Sequence, residues 1–550
     1  MGHVHALRLG LTDPRFAASA VPGAVSARPE ARADLTHALR ATTGSGNGGG
    51  SALTVEAIAD HVAEAIEAGG RALHRPDLGT LVATVARDPQ ARNEARQAVA
   101  AVDDEAVRLR TAVKSRDGFF TTYCISPYSR YIARWCARRG LTPNQVTTAS
   151  LLVALIAAGS AATGTRAGFV AAGLLLLFSF VLDCTDGQLA RYSLQYSTLG
   201  AWLDATFDRA KEYAYYAGLA LGAANATGDD VWALALGAMV LQTSRHVVDF
   251  SFNEANHDAT ANTSPTAALS DKLDSVGWTV WLRRMIVLPI GERWALIAVL
   301  TAVTTPRITL IVLLIGCGLA ACYTTAGRVL RSLTRRATRT DRAAQALADL
   351  ADSGPLASAF AALGRGRLSL PVPAPALAFV GGAVVVCVAG LTSYGSPWVV
   401  VAAVVYVITS GLAVARPLKG TLDWLVPPFF RAAEYGTILL LAAKADVNGA
   451  LPAAFGLVSA VAYHHYDTVY RIRGDAGAPP HWLVRAIVGH EGRTLVVAVA
   501  AALLTDTDFT VALTALAVAV ALVVLVESIR YWVTAHKRGA PAVHDEGEPA

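Results

Sequence analysis

The segment Asp183-Cys-Thr-Asp186-Gly187-Gln-Leu-Ala190-Arg191, separated by eight residues from Gly200-Ala-Trp-Leu-Asp204-Ala-Thr-Phe-Asp208, sets four carboxylates inside a strongly apolar stretch. A charged side chain at membrane depth costs on the order of 3 kcal/mol or more and usually marks function. Four aspartates this close also repel one another, so a cation must hold them, and a divalent metal is the natural candidate. Asp183 and Asp186 are three apart, and Asp204 and Asp208 four apart, so on helices each pair shares a face. Gly187 and Ala190 continue the first stripe almost without side chain, and Gly200 continues the second one turn earlier. The spacing predicts two helices joined by a short turn, with a metal-lined slot where a flat ligand can approach backbone. The competing reading is a buried ion-pair network with Arg191, Arg209 and Lys211. Such a network does not require small residues at 187, 190 and 200.

Of the 550 residues, 53% are hydrophobic and only 16% charged, which with long apolar runs indicates a polytopic membrane protein of all-α class. No signal-peptide-like apolar region is expected at the start, where the first hundred residues are polar and rich in Ala and Arg. The six cysteines are scattered, with neither metal spacing nor a disulfide framework. The net charge of +5 is modest, and the basic residues cluster beside apolar segments. That distribution suits membrane lipids and argues against a nucleic-acid partner.

Five regions are expected. Residues 1–113 form a small, partly disordered N-terminal cytoplasmic region, helical beyond the glycine-rich linker Gly44–Ser51. Residues 114–342 form a six-helix membrane domain, 343–372 a linker, 373–535 a second helical membrane block, and 536–550 a tail. Apolar segments near 146–163, 167–189, 199–224, 231–250, 294–305 and 308–329 lie in the first block. Six more lie near 376–392, 398–414, 422–443, 450–470, 483–504 and 509–533, for about twelve spans. Tyr128, Tyr131, Ile132 and Trp135, set against Arg130, Arg134, Arg138 and Arg139, describe an interfacial helix before the first span. Arginines precede the first span and crowd behind the sixth (Arg328, Arg331, Arg335, Arg336, Arg339, Arg342). The positive-inside rule then puts both termini and the aspartates on the cytoplasmic side of the plasma membrane.

Read in full, D-x-x-D-G-x-x-A-R, eight residues, G-x-x-x-D-x-x-x-D resembles the signature of the CDP-alcohol phosphotransferases at every fixed position, with the likeness covering roughly 114–342. The resemblance implies that a CDP-linked alcohol donates its phosphoalcohol group to an acceptor hydroxyl and that CMP leaves, in phospholipid or polyol-phosphate synthesis. It implies a pair of Mg²⁺ or Mn²⁺ ions on Asp183, Asp186, Asp204 and Asp208, with Asp208 also the general base. Arg191 is placed to pair with donor phosphate, and Gly187, Ala190 and Gly200 leave room beside the nucleotide. Ser197, Asn144 and Thr147 resemble further donor contacts, against the alternative of helix capping. Relatives are commonly homodimers. Lys114-Ser-Arg-Asp117-Gly118-Phe119-Phe120 is similar to the lead-in of members that join CDP-inositol to inositol phosphate, so a soluble polyol donor stands beside a CDP-diacylglycerol donor. From another class, the chain would be a transporter or a scaffold with an inactive catalytic half.

The acceptor side is less legible. Arg245, His246, Arg283, Arg284 and Arg293 could hold a phosphorylated acceptor, or they obey the positive-inside rule alone. In the second block, Asp423, Arg431, Glu434, His464, His465, Asp467, His490, Glu491 and Arg493 converge on one membrane face. They form either a second metal- or phosphate-binding site or a polar network between helices. The pattern of this block resembles a domain appended to actinobacterial members of the family, without known chemistry.

Overall fold

The computed structural model describes residues 18–21, 24–27, 33, 35–37, 39–40, 58–68, 73–75, 89–114, 117–258, 260–263, 285–334, 336–364, 372–474 and 476–537. They fall into two units, residues 1–111 and 112–550.

In the first unit, β1 (Ala18–Val21) and β2 (Ala24–Ala27) form an antiparallel pair, and β3 (Leu73–His74) lies parallel to β1. Helix α1 (Ile58–Ala68) buries Val62 and Ile66 among Val25 and Leu73. Two further helices follow, α2 (Pro89–Ala100) and α3 (Asp104–Thr111). The region is therefore not purely helical, as its alanine-rich sequence suggested. Strands of two to four residues are too short for alternation to register. Gly44–Ser51 lies outside the described residues.

The second unit opens with one π turn, Thr121–Ile125, leading into α4 (Ser126–Arg138). Its Tyr128, Tyr131 and Trp135 are exposed, and Arg130 and Arg134 sit over the Tyr131 ring at 5.2 and 5.3 Å. Arginine stacked on aromatic rings along an exposed face is the arrangement of an interfacial helix.

All twelve apolar segments become helical. In the first block these are α5 (Pro143–Ala162), α6 (Arg166–Ser193), α7 (Thr198–Thr227), α8 (Trp232–Asn256), α9 (Ile290–Val303) and α10 (Pro306–Thr334). Two connecting helices, α11 (Asp341–Ala351) and α12 (Pro355–Gly364), precede α13 (Ala374–Leu391), α14 (Trp398–Ala413), α15 (Val426–Ala445) and α16 (Ala450–Arg473). The short α17 (His481–Ala486) runs into α18 (Gly489–Leu503), and α19 (Asp506–Lys537) ends the described chain. Among the described residues, α5, α6, α10, α13, the α17–α18 pair and α19 are long and apolar enough to cross a membrane. The other six of the expected twelve give a weaker signal for physical reasons. Helices α9 and α14 have only 14 and 16 residues, and α7, α8, α15 and α16 carry charges buried against neighbouring helices. The fold is a multi-pass, all-α membrane protein.

Small residues set the packing around the aspartates. A Cβ on Gly218 of α7 would stand 2.4 Å from the Ala158 carbonyl oxygen of α5, and one on Gly222 would stand 2.1 Å from that of Ala161. The two backbones touch, as small-residue seams allow. This contact fixes the second half of α7 against the end of α5.

The stretch 343–372, expected as a linker, is largely structured. Thr340 caps α11 by accepting from the Ala343 N–H, and Leu347, Leu350 and the alanines of α11 are buried. Asp352 ends that helix in the left-handed region (φ +54°) and turns its carboxylate inward. The two membrane blocks also share one hydrophobic core. Trp202 of α7 stacks on Trp532 of α19 at 5.7 Å, and Phe252 of α8 meets Trp424 edge-on at 5.3 Å.

Candidate active site

Helix α6 stops at Leu194, whose φ of +55° breaks the helix, and α7 restarts after Ser197, whose hydroxyl accepts from the Gly200 N–H at 2.9 Å. This turn places the last turns of α6 beside the first turns of α7. Asp183, Asp186 and Asp204 then each offer an oxygen within 4.8 Å of the others. Asp186 is buried, and its Oδ2 has no hydrogen-bond partner among the described residues. Asp204 is exposed, so the group opens to the outside. A buried, orphaned carboxylate oxygen within a set of hard oxygen donors fits a divalent cation of the Mg²⁺ or Mn²⁺ kind.

Asp208, expected as a fourth ligand, stands at the edge of this group. Its carboxylate is 2.9 Å from Lys211 Nζ, one turn along α7. The Lys211 ammonium is fully buried, also pairs with Asp183 and donates to Ser150 Oγ at 3.1 Å. A buried ammonium needs acids on several sides, and the i, i+3 step of the helix supplies Asp208. The competing ion-pair network thus exists in part, through Lys211. Arg209 turns to Glu212 (3.3 Å), and Arg191 donates from Nε to the Ala112 carbonyl at 2.6 Å. No salt bridge reaches Asp186 among the described residues.

Gly187 and Gly200 lie against neighbouring side chains. A Cβ on Gly200 would lie 2.8 Å from both Asn144 Oδ1 and Ser197 Oγ, so a side chain there would displace both. A Cβ on Gly187 would meet the Arg191 guanidinium at 3.5 Å, which places that fork along the glycine face. Ala190, one turn on, is half-buried. Thr147 donates to the Pro143 carbonyl at 3.0 Å and lies against the Asp186 carboxylate. Ser197 acts locally as the helix cap that was its alternative reading.

Of the expected acceptor residues, Arg283 and Arg284 lie outside the described residues. Arg293 is held in a two-pronged pair with Glu212 (2.9 and 3.0 Å), because a buried glutamate on α7 demands a cation. His246 bonds Gln242 at 2.7 Å and the Tyr466 hydroxyl of the second block at 2.6 Å. Arg245 is buried, donates to the Val287 carbonyl, and leaves Nε and Nη1 without partners. It is the arginine here with donors to spare. Glu212 and Tyr466 carried no motif that singled them out. Only the meeting of α7, α9 and α16 shows their place.

The polar residues of the second block divide. Arg493 bonds Glu434 at 2.5 Å and Asp352 at 2.9 Å, Arg431 bonds Glu434 at 2.9 Å and Asp352 at 3.0 Å, and His464 bonds Asp352 at 3.1 Å. His490 shares a proton with the Tyr406 hydroxyl at 2.7 Å, and Glu491 accepts the Gly354 and Ala357 N–H groups at the start of α12. These side chains are at most 4% exposed, which closes the cluster from either membrane surface. His465 is buried beside it. Asp467 belongs elsewhere, accepting from Ser528, Trp532 and Arg471. Asp423 turns back to the Gly420 N–H at 2.6 Å. The expected convergence therefore omits Asp467 and Asp423 and gains Asp352. Burial by itself pushes the Asp352 carboxyl up, but Arg431, His464 and Arg493 hold it well below the usual carboxylate range.

Comparison with known proteins gives two family matches along the chain. Residues 140–321 match the CDP-alcohol phosphatidyltransferase family, and residues 341–550 match a family of unknown function (DUF5941). The chain is 33% identical over 125 residues to a bifunctional IPC transferase and DIPP synthase of Thermococcus kodakarensis, covering 22% of this chain and 27% of the relative. It is 35% identical over 91 residues to an archaetidylinositol phosphate synthase of Pyrococcus horikoshii, covering 16% of this chain and 47% of the relative. With a phosphatidylinositol phosphate synthase of Mycolicibacterium smegmatis it shares 35% identity over 123 residues, 22% of this chain and 53% of the relative. The matches thus span between about a quarter and a half of the length of these relatives.

Proposed function

Residues 140–321 are a CDP-alcohol phosphatidyltransferase domain, and on that ground we propose that the chain transfers a phosphoalcohol group from a CDP-alcohol to an acceptor hydroxyl, releasing CMP. The observation that carries this reading is the group of Asp183, Asp186 and Asp204 within 4.8 Å, with Asp208 held beside it by Lys211. Asp183, Asp186 and Asp204 would hold Mg²⁺ or Mn²⁺, which when bound neutralises the donor diphosphate and the departing CMP.

The chain's own residues do the rest. Arg191, lying along Gly187, pairs with donor phosphate through its planar fork. Gly200 and Asn144 shape the wall beside the nucleotide. Asp208 takes the proton of the acceptor hydroxyl. That oxygen then attacks the phosphorus bearing the alcohol, the P–O–P bond breaks, and CMP leaves. Lys211 fixes the Asp208 carboxylate in place for this transfer. Two of the relatives are named as inositol phosphate synthases, archaetidyl and phosphatidyl. With the spare donors of Arg245, this favours a phosphorylated polyol acceptor. The basic clusters flanking the spans support a cytoplasmic-facing site. A homodimer is part of the proposal and is read by sedimentation.

The test is purified protein with a panel of lipid and soluble CDP-alcohols, polyol-phosphate acceptors and Mg²⁺, scored for CMP. CMP release that Asp208→Ala abolishes is the expected result, and the productive donor identifies lipid or soluble chemistry. Wild type indistinguishable from Asp208→Ala across the panel overturns the reading.

A further inference from the structure

Helices α17 and α19 leave an open cavity of about 950 Å³ that the proposed reaction does not use. Leu522, Val523 and Val526 of α19 line its apolar part, and Trp482 of α17 stands at its rim. Leu522 and Trp482 are more than half exposed. One turn further along α19 the lining becomes polar, with Glu527, Arg530 and Tyr531.

That polar end is rigidly built. Arg471, 1% exposed, grips Glu527 with bonds of 3.0 and 2.6 Å and covers the Tyr531 ring at 3.8 Å. Arg471 is held in turn by Asp467 at 2.9 Å, which also accepts from Ser528 and the Trp532 indole. Both oxygens of Glu527 are thus taken up by Arg471, which it shares with Asp467. Arg530 has no acidic partner among the described residues, so the polar end of the cavity offers one cation without a salt bridge.

The cavity also has a direction. Trp532, the neighbour of Tyr531, stacks on Trp202, and Trp202 is two residues from Asp204. The cationic end thus sits at the depth of the carboxylate group. From Arg530 to Leu522 is about 12 Å of helix leading towards the middle of the span.

We propose that this cavity is a binding site for one anionic phospholipid, with an acyl chain along Leu522, Val523 and Val526 and its phosphate on Arg530. The volume lies in the range of about 300–1,000 Å³ typical of ligand pockets. An apolar run ending in one cation without a salt bridge at the membrane surface has the polarity of such a lipid. The rim tryptophan marks the headgroup level. A zwitterionic headgroup finds no free carboxylate for its ammonium, because Glu527 is already paired. The site gives the block of unknown function a ligand of its own and does not depend on the transferase reading.

The full chain, purified in detergent, is mixed with phosphatidylglycerol or with phosphatidylcholine of identical chains. Excess lipid is then removed by gel filtration, and retained phosphorus is measured per chain. One phosphatidylglycerol should stay bound, with little phosphatidylcholine. Arg530→Gln should lower retention about fivefold, the order expected for one basic residue facing anionic lipid. Val526→Trp, which fills the cavity, should abolish retention while leaving the elution volume unchanged. Equal retention of the two lipids, or undiminished retention by Arg530→Gln, overturns the proposal. So does a lipid-free dimer that closes the cavity with a second copy of the chain.

Discussion

Two charged clusters stand in one molecule and differ in balance. The cluster of α6 and α7 has four carboxylates around one ammonium, an orphaned oxygen on Asp186, and an exposed Asp204. The cluster of the second block sets Asp352 and Glu434 against Arg431 and Arg493, fully buried, with Glu491 held by the Gly354 and Ala357 N–H groups. The first leaves charge unmatched and an opening, as a site for a cationic ligand must. The second matches its charges internally, as a helix-to-helix fastening does. Burial of acids alone does not separate the two cases, but the ratio of acids to bases does.

This contrast can be broken by substitution. The largest effect is expected at the first cluster. Asp208→Ala should lower CMP release by about 10²–10⁴-fold, the usual share of a general base. Asp186→Asn should in addition remove the rise in thermal midpoint that Mg²⁺ gives the wild type, with the resting fold intact. If Asp186→Asn still gains stability from Mg²⁺, the unmatched carboxylates are not the metal site.

The second cluster should respond in the opposite sense. Arg493→Ala leaves Glu434 and Asp352 buried without one cation, and such losses cost about 3–5 kcal/mol. Thermal unfolding in detergent should show this as a collapse of the midpoint, unaffected by Mg²⁺. A variant as stable as wild type but impaired in CMP release would instead make the cluster a working site.

pH sharpens the same comparison. The folded Asp352 carboxyl is held well below its ordinary value near 3.8. Its contribution to stability is therefore fully present above that ordinary value and disappears only as pH falls through the folded value. The metal-free thermal midpoint of an Asp352→Asn variant should lie below wild type by a constant amount from pH 8 to pH 5. A gap that closes within this window contradicts the assignment.

The smallest effect is expected where the two blocks meet. Tyr466→Phe removes the hydroxyl bonded to His246 and keeps the ring beneath Arg209. Loss of one such bond costs about 1 kcal/mol, visible as a modest downward shift of the midpoint. An unchanged midpoint would show that the seam is held by its rings alone.

Much of this was legible in the residues. The aspartate motif announced that the end of α6 and the start of α7 bring carboxylates together, because each offset answers a local helical geometry. The twelve helices followed from apolar runs. Only six of them read as strong spans, because α9 and α14 are short and α7, α8, α15 and α16 hide charge between helices. Composition cannot distinguish hidden charge from a surface turn. The 343–372 stretch looked like a connector because its alanines carry little hydrophobic signal, although most of those in α11 are buried.

By itself the sequence determined the membrane class, the helix that carries each aspartate, and the face on which each pair of carboxylates lies. These depend on spacings of three and four residues within single helices. Only the tertiary structure decided that Asp208 belongs with Lys211, that Arg293 belongs with Glu212, and that Asp352 completes the second cluster. Arg293 lies 81 residues from Glu212, and Asp352 lies 79 to 141 residues from its partners. A buried charge takes whichever opposite charge the packing brings within reach, and no local pattern encodes that choice.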